Sequence, residues 1–128
     1  MRRGDALTET VELRSDPDEP KTRWTIREQR FADLLAVQDD AGVLPARLMD
    51  AKFQELSDAD QRTYNEWLMR RVISIVAHSL TAIDGEPVSS PEEVVQILHD
   101  LRPADAVPGI LGELAARIVD LGRPSKKS

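Results

Sequence analysis

One stretch constrains this chain more than any other. From Ser57 to Gly85 the residues have the spacing of a single long helix. Tyr64, Leu68, Val72, Ile75, Val76, Ser79, Leu80 and Ile83 recur at steps of three and four, which gathers them on one side of a 3.6-residue turn. Trp67, Met69 and Ile73 widen that apolar surface, and Glu66 and Arg70 stand four apart as an ion pair would. The Ser57 hydroxyl can cap the first turn, where Asp58 and Asp60 meet the positive end of the helix dipole. Ile83-Asp84-Gly85 supplies the stop: glycine tolerates the left-handed conformation that ends a helix, and Pro87 prevents its resumption. Such a helix would be about 40 Å long, the width of a small domain.

Smaller elements flank this spine. Leu7-Thr8-Glu9-Thr10-Val11-Glu12-Leu13 alternates apolar and polar residues, the period of a half-buried strand, and Asp16-Pro17-Asp18-Glu19-Pro20 breaks it. Thr22 to Ile26 is a second extended segment, so the two predict a hairpin that needs helices beneath it. Thr25 and Glu28 have the capping-box spacing, which predicts a helix from about Ile26 to Gln38, ended by Asp39-Asp40-Ala41-Gly42. Phe31, Leu34 and Leu35 are its expected inner stripe. A short helix from Pro45 to about Leu56 should turn Leu44, Leu48, Met49 and Phe53 inward.

Beyond Gly85, Ser90-Pro91-Glu92-Glu93 combines a serine cap, a proline in the first turn and a glutamate able to reach back. Val94, Val95, Ile97, Leu98 and Leu101 form the inner face of that helix, which runs to Arg102-Pro103. Asp105 is placed to cap a last helix, with Pro108 in its first turn and Ile110, Leu111, Leu114, Ile118 and Leu121 inward. The expected fold is therefore mainly α: a single domain over 1–128 with about five helices. Within it, 7–26 is a β-hairpin, 27–121 a helical body, and 1–6 and 122–128 are flexible tails.

Composition narrows the function classes. With 128 residues a modest core can form without staples, and the absence of cysteine removes disulfides, thiolate metal sites and a cysteine nucleophile. The net charge is -6 and the basic residues are scattered, which argues against a nucleic-acid partner. Met1-Arg2-Arg3-Gly4-Asp5 runs into polar residues instead of a signal-peptide core, and Val72 to Leu80 is too short and polar to span a bilayer. The expectation is a cytoplasmic protein with no membrane association.

No GxSxG, phosphate-cradling glycine loop, HExxH or dinucleotide fingerprint is present, and the acidic pairs Asp39-Asp40, Asp58-Asp60 and Glu92-Glu93 fall in turns and helix starts instead of a calcium-loop spacing. His78 reads as a hydrogen-bonded helix residue and His99 as a surface cap. The expectation is no enzyme, no metal and no cofactor. Candidates for binding a protein partner are Trp67, Arg70, Arg71, Ile73 and Asp84. Tryptophan and arginine are favoured at interface hot spots, although Trp24 and Trp67 also suit core anchors.

The stretch from Arg71 to Val88, with its Ser79, Ile83-Asp84-Gly85 and following Ser90-Pro91-Glu92-Glu93 helix, resembles tail assembly chaperones of tailed bacteriophages and small baseplate-assembly proteins of contractile phages. In those families a helix ending in serine, two or three residues and Ile-Asp-Gly precedes a turn and further helices. Arg23-Trp24-Thr25-Ile26-Arg27-Glu28 is similar to the family's opening. The resemblance implies a chaperone that binds the tape-measure protein and tail-tube subunits during virion assembly. It also implies a frameshift-extended form, with Lys126-Lys127 near the slippery codons. The rival readings are a structural baseplate or connector subunit and a small bacterial regulatory adaptor.

Overall fold

The computed structural model describes residues 5–14 and 16–123, so most of the expected tails at 1–6 and 122–128, Lys126 and Lys127 included, lies outside the described residues. The predicted hairpin is present. Strand β1 (Thr8–Leu13) pairs antiparallel with β2 (Thr22–Arg27), Val11 standing opposite Trp24. Asp16 makes the reversal between them, its carboxylate accepting from the Asp18 amide at 2.9 Å while its carbonyl accepts from Glu19 at 3.0 Å.

The hairpin belongs to a larger sheet. The spine helix α3 (Asp58–Ser79) stops four residues short of Ile83, where the expected stop begins, and Leu80–Ile83 forms strand β3 against β2. A two-residue strand β4 (Glu86–Pro87) completes an antiparallel order β1-β2-β3-β4. The fold is thus mixed, with five helices and a four-stranded sheet among the described residues, where a helical domain with a lone hairpin was expected.

Two physical reasons explain the change. Asp84 and Gly85 both have positive φ, 51° and 84°, the combination that a tight hairpin turn demands. The outer edge of β2 also needs partners, and β3 and its turn supply them: the Asp84 amide donates to the Arg23 carbonyl at 2.7 Å, and the Arg23 amide donates to Asp84 Oδ1 at 2.9 Å. Ile83-Asp84-Gly85 is therefore a turn between strands, not a helix stop.

The first helix is also displaced. Thr25 and Ile26 are claimed by β2, so the Thr25–Glu28 capping box does not form and α1 spans Phe31–Ala41. Its start is held by Asp33, whose Oδ2 accepts from the Arg30 amide at 2.8 Å. Gly42 ends it as expected, at φ 75° with its amide donating to the Gln38 carbonyl. The predicted helix from Pro45 splits into α2 (Ala46–Met49) and a 3-10 turn (Phe53–Glu55); Leu44 and Leu48 are buried, but Met49 and Phe53 are exposed.

The caps of α3 and of α4 (Pro91–Asp100) form as read: the Ser57 and Ser90 hydroxyls accept from the Asp60 and Glu93 amides. Glu93 reaches one residue further back than expected, to Ser89. Helix α5 (Val107–Leu121) has Pro108 in its first turn, but Asp105 lies in a preceding 3-10 turn without capping it. No Glu66–Arg70 ion pair forms; Arg70 Nε donates instead to the Ala41 carbonyl at 3.2 Å.

The core lies between the sheet and helices α3, α4 and α5. Val11, Trp24, Ile26 and Leu80 meet Ile75, Val76, Val94, Leu98, Ile110, Leu111, Leu114 and Ile118. The C-terminal half of α3 is the centre of this packing, with Ser74 to Ala77 and Ser79 all buried. Ala41, Leu44 and Leu48 are buried outside that main cluster, near the N-terminal half of α3. No helix among the described residues is long and apolar enough to cross a membrane.

Candidate functional site

Helix α1 faces the opposite way from its predicted orientation. Asp33, Val37 and Ala41 are buried, whereas Phe31 is 74% exposed and Leu34 and Leu35 nearly half exposed. Steps of three and four put these three apolar side chains on one side of the helix, opposite Asp33 and Asp40, with Leu34 bordering the buried Val37 and Ala41.

Polar anchors set this rotation. Arg27 on β2 donates to both Asp33 oxygens, at 2.6 and 3.2 Å, and also to the His78 carbonyl. In the last turn of α1, Asp40 Oδ2 accepts the Ser74 hydroxyl at 2.7 Å and meets His78 Nε2 at 3.1 Å. Burial pushes the Asp33 carboxyl up, but the Arg27 hydrogen bond, the Arg30 amide and the charges of Arg27 and His78 outweigh it and hold it below the usual range. The Ser74 hydrogen bond, opposed by partial desolvation and aided by His78, lowers Asp40 likewise.

Rolling α1 over would bury the exposed parts of Phe31, Leu34 and Leu35 but bring Val37 and Ala41 into water, a net apolar gain of at most about 1.5–3 kcal/mol. It would also strip Arg27 of its carboxylate, and breaking a buried pair costs about 3–5 kcal/mol. The observed rotation keeps the buried polar groups of this face partnered and leaves the apolar ones in water.

One turn beyond Leu34 and Leu35, Gln38 borders a hollow of about 460 Å³ lined also by Asp39, Val43, Met49, Trp67 and Arg71, among others. Val43 is 95% exposed and Met49 68%. Trp67 is fixed on the far wall: its Nε1 donates to the Gly42 carbonyl at 3.0 Å, the Tyr64 ring packs tilted against it with Phe53 tilted against Tyr64 in turn, and the Arg71 guanidinium lies 5.9 Å from its ring centre. The hollow therefore sets one fixed tryptophan and the apolar Val43 and Met49 near an apolar strip, a geometry suited to the side chains of a protein partner.

The five predicted partner-binding residues do not converge. Trp67 and Arg71 meet at this hollow. Arg70 and Ile73 line a separate one of about 370 Å³ between α1, α3 and α4, together with Asp40, Ser74 and His78. Asp84 sits at the hairpin turn, beside a third hollow with Ile97 and Glu93, and its carboxylate ties the turn to β2. Sequence reasoning missed Phe31, Leu34, Leu35, Val43 and Met49 as surface residues. A signal existed for the first three: Asp33, Val37 and Asp40 form a second stripe on α1, with two carboxylates within reach of Arg27 and His78.

The Ser74, Asp40 and His78 cluster has the residue types of a hydrolytic triad but the wrong order. Both Ser74 and His78 bond the same carboxylate oxygen, so the serine proton faces a weak base instead of the imidazole. The cluster ties α1 to α3. Among the described residues no three His, Cys, Asp or Glu side chains gather as a metal ion would require. No family model, curated protein or solved structure matches this chain.

Proposed function

We propose that this protein is a phage tail assembly chaperone, acting in the host cytoplasm, whose α1 strip and adjoining Trp67–Arg71 hollow bind the tape-measure protein or tail-tube subunits. The observation that carries the reading is the outward set of Phe31, Leu34, Leu35, Val43 and Met49 in an acidic chain. Apolar side chains held in water are costly to keep unless a partner covers them. Residues at i, i+3 and i+4 beside a hollow suit an amphipathic partner segment.

The resemblance to the tail assembly chaperones supports the same reading. Its pattern of a helix ending in serine, three residues and Ile-Asp-Gly falls on Ser79, Leu80-Thr81-Ala82 and Ile83-Asp84-Gly85. Asp84 acts within the fold, and the binding role passes to the strip.

Co-expression and pull-down with the tape-measure and tube proteins encoded beside this chain test the proposal. The expected result is capture of at least one by the wild type and loss of capture by a folded Leu34→Asp, Leu35→Asp double variant. Absence of both partners from the wild-type pull-down would sink it. Mass spectrometry of purified virions separates a chaperone, which should be missing, from a baseplate or connector subunit, which should be retained.

A further inference from the structure

The edge of the sheet carries a second interaction surface. Among the described residues β1 pairs with β2 alone, so one long side of a six-residue strand is open. Which backbone groups point to that side follows from the ladder. The Glu28 amide donates to the Leu7 carbonyl at 2.8 Å, and antiparallel pairs alternate between bonded and non-bonded. Glu9, Val11 and Leu13 therefore bond β2, while the amides and carbonyls of Thr8, Thr10 and Glu12 face outward. The other side of β2 agrees, since Arg23 and Thr25 direct their backbone groups toward β3 and its turn.

Natural edge strands are commonly blunted by lysine, proline, a bulge or an inward-pointing charge. From Thr8 to Leu13 there is neither lysine nor proline, the β1–β2 register is unbroken, and Glu9, the one charge in step with Val11, is paired with Arg117 at 3.0 Å.

We propose that a second copy of this chain occupies the edge, β1 pairing antiparallel with β1 of the other copy about a two-fold axis at Thr10. Three constraints select this register. Residues opposite each other must face the same side of the sheet and the outward-bonding residues must meet, which leaves a few registers; centring on Glu9 or Glu12 would set glutamate against glutamate, whereas centring on Thr10 sets Thr10 against Thr10 and Thr8 against Glu12. No like charges then oppose, because Glu9 stands across from Val11 and Glu12 across from Thr8.

The third constraint is apolar. Leu7, half exposed and in step with the core-facing residues of β1, comes opposite Leu13 of the other copy. Beside Leu13 lies a hollow of about 300 Å³ lined by Leu13, Ala106, Gly109 and Ile110, together with Arg14 and Glu113, which an incoming leucine would cover. The pairing forms about six backbone hydrogen bonds and joins two four-stranded sheets into one. It leaves the α1 strip free for a different partner.

Sedimentation velocity on the purified chain across about 1–200 μM, with amide hydrogen exchange at both ends of that range, tests the proposal. The expected result is a concentration-dependent dimer in which the Thr8, Thr10 and Glu12 amides become protected. Thr10→Pro removes an amide that bonds nothing among the described residues, and proline is tolerated where an edge amide faces outward. It should weaken dimerisation by at least about tenfold with the monomer still folded by circular dichroism, because two donors are lost per dimer. Leu7→Glu should weaken it independently while leaving the ladder intact. A chain that stays monomeric at 200 μM with those amides exchanging freely would overturn the proposal. So would a dimer that survives both variants unchanged, or one whose protected amides lie on α1.

Discussion

Replacing Asp33 by alanine should damage the fold far more than replacing Phe31 by serine, the reverse of what residue polarity suggests. Asp33 holds two things at once: the Arg30 amide at the start of α1 and the Arg27 guanidinium, with the two charged side chains only 11% and 16% exposed. Loss of the cap-like bond costs about 1 kcal/mol. Leaving Arg27 unpaired adds about 3 kcal/mol, the lower end for a buried pair, because Arg27 keeps the His78 and Glu28 carbonyls. The sum, about 4 kcal/mol, corresponds to a fall in Tm of roughly 10–15 °C for a domain of this size.

Phe31→Ser removes a side chain that is mostly in water, so its effect should stay within about 0.5 kcal/mol. Urea denaturation followed by circular dichroism measures both, and the linear-extrapolation slope should not change. Restoring an apolar pair with Arg27→Met in Asp33→Leu should recover much of the loss. Equal or greater destabilisation by Phe31→Ser would refute the assigned rotation of α1.

Stability should hold from neutral pH down to about pH 4 and fall below it. Asp33 and Asp40 titrate lower in the fold than in the unfolded chain, so their contribution is present above the unfolded pKa and is lost as pH drops through the folded one; Asp33→Ala should flatten that fall in a pH series of urea melts. Gly85→Val should cost roughly 2 kcal/mol through backbone strain alone, since φ is 84° and open space surrounds the new Cβ. Asp84→Asn should cost little, because asparagine accepts positive φ and still offers an oxygen to the Arg23 amide; a Tm drop above about 5 °C would contradict this. Trp24→Ala, at a site 2% exposed in the core, should cost about 3–5 kcal/mol and drive the chain toward unfolding at 37 °C.

Much of the architecture was legible because its signals are local. The alternation at Leu7 to Leu13, the serine caps at Ser57 and Ser90 and the glycine stop at Gly42 depend on residues within a turn or two, and each is found where the sequence placed it. The N-terminal hairpin and the inward faces of α4 and α5 follow from periodicity alone. The candidate site was legible only in part. Trp67 and Arg71 do line the hollow, but the apolar strip beside them was read as core.

What the sequence by itself determined, then, is the set of elements whose partners lie close in the chain. Tertiary structure decided two matters that no local pattern carries. Leu80–Ile83 continues the helical spacing and fits a strand equally well; the open edge of β2, more than fifty residues away in sequence, makes it a strand. Phe31, Leu34 and Leu35 fit an inner stripe equally well; Arg27, Ser74 and His78, brought from β2 and α3, hold the opposite face of α1 and turn the apolar one to water. In both cases buried hydrogen-bonding groups on a distant element had to be satisfied, and that requirement outweighed the apolar period.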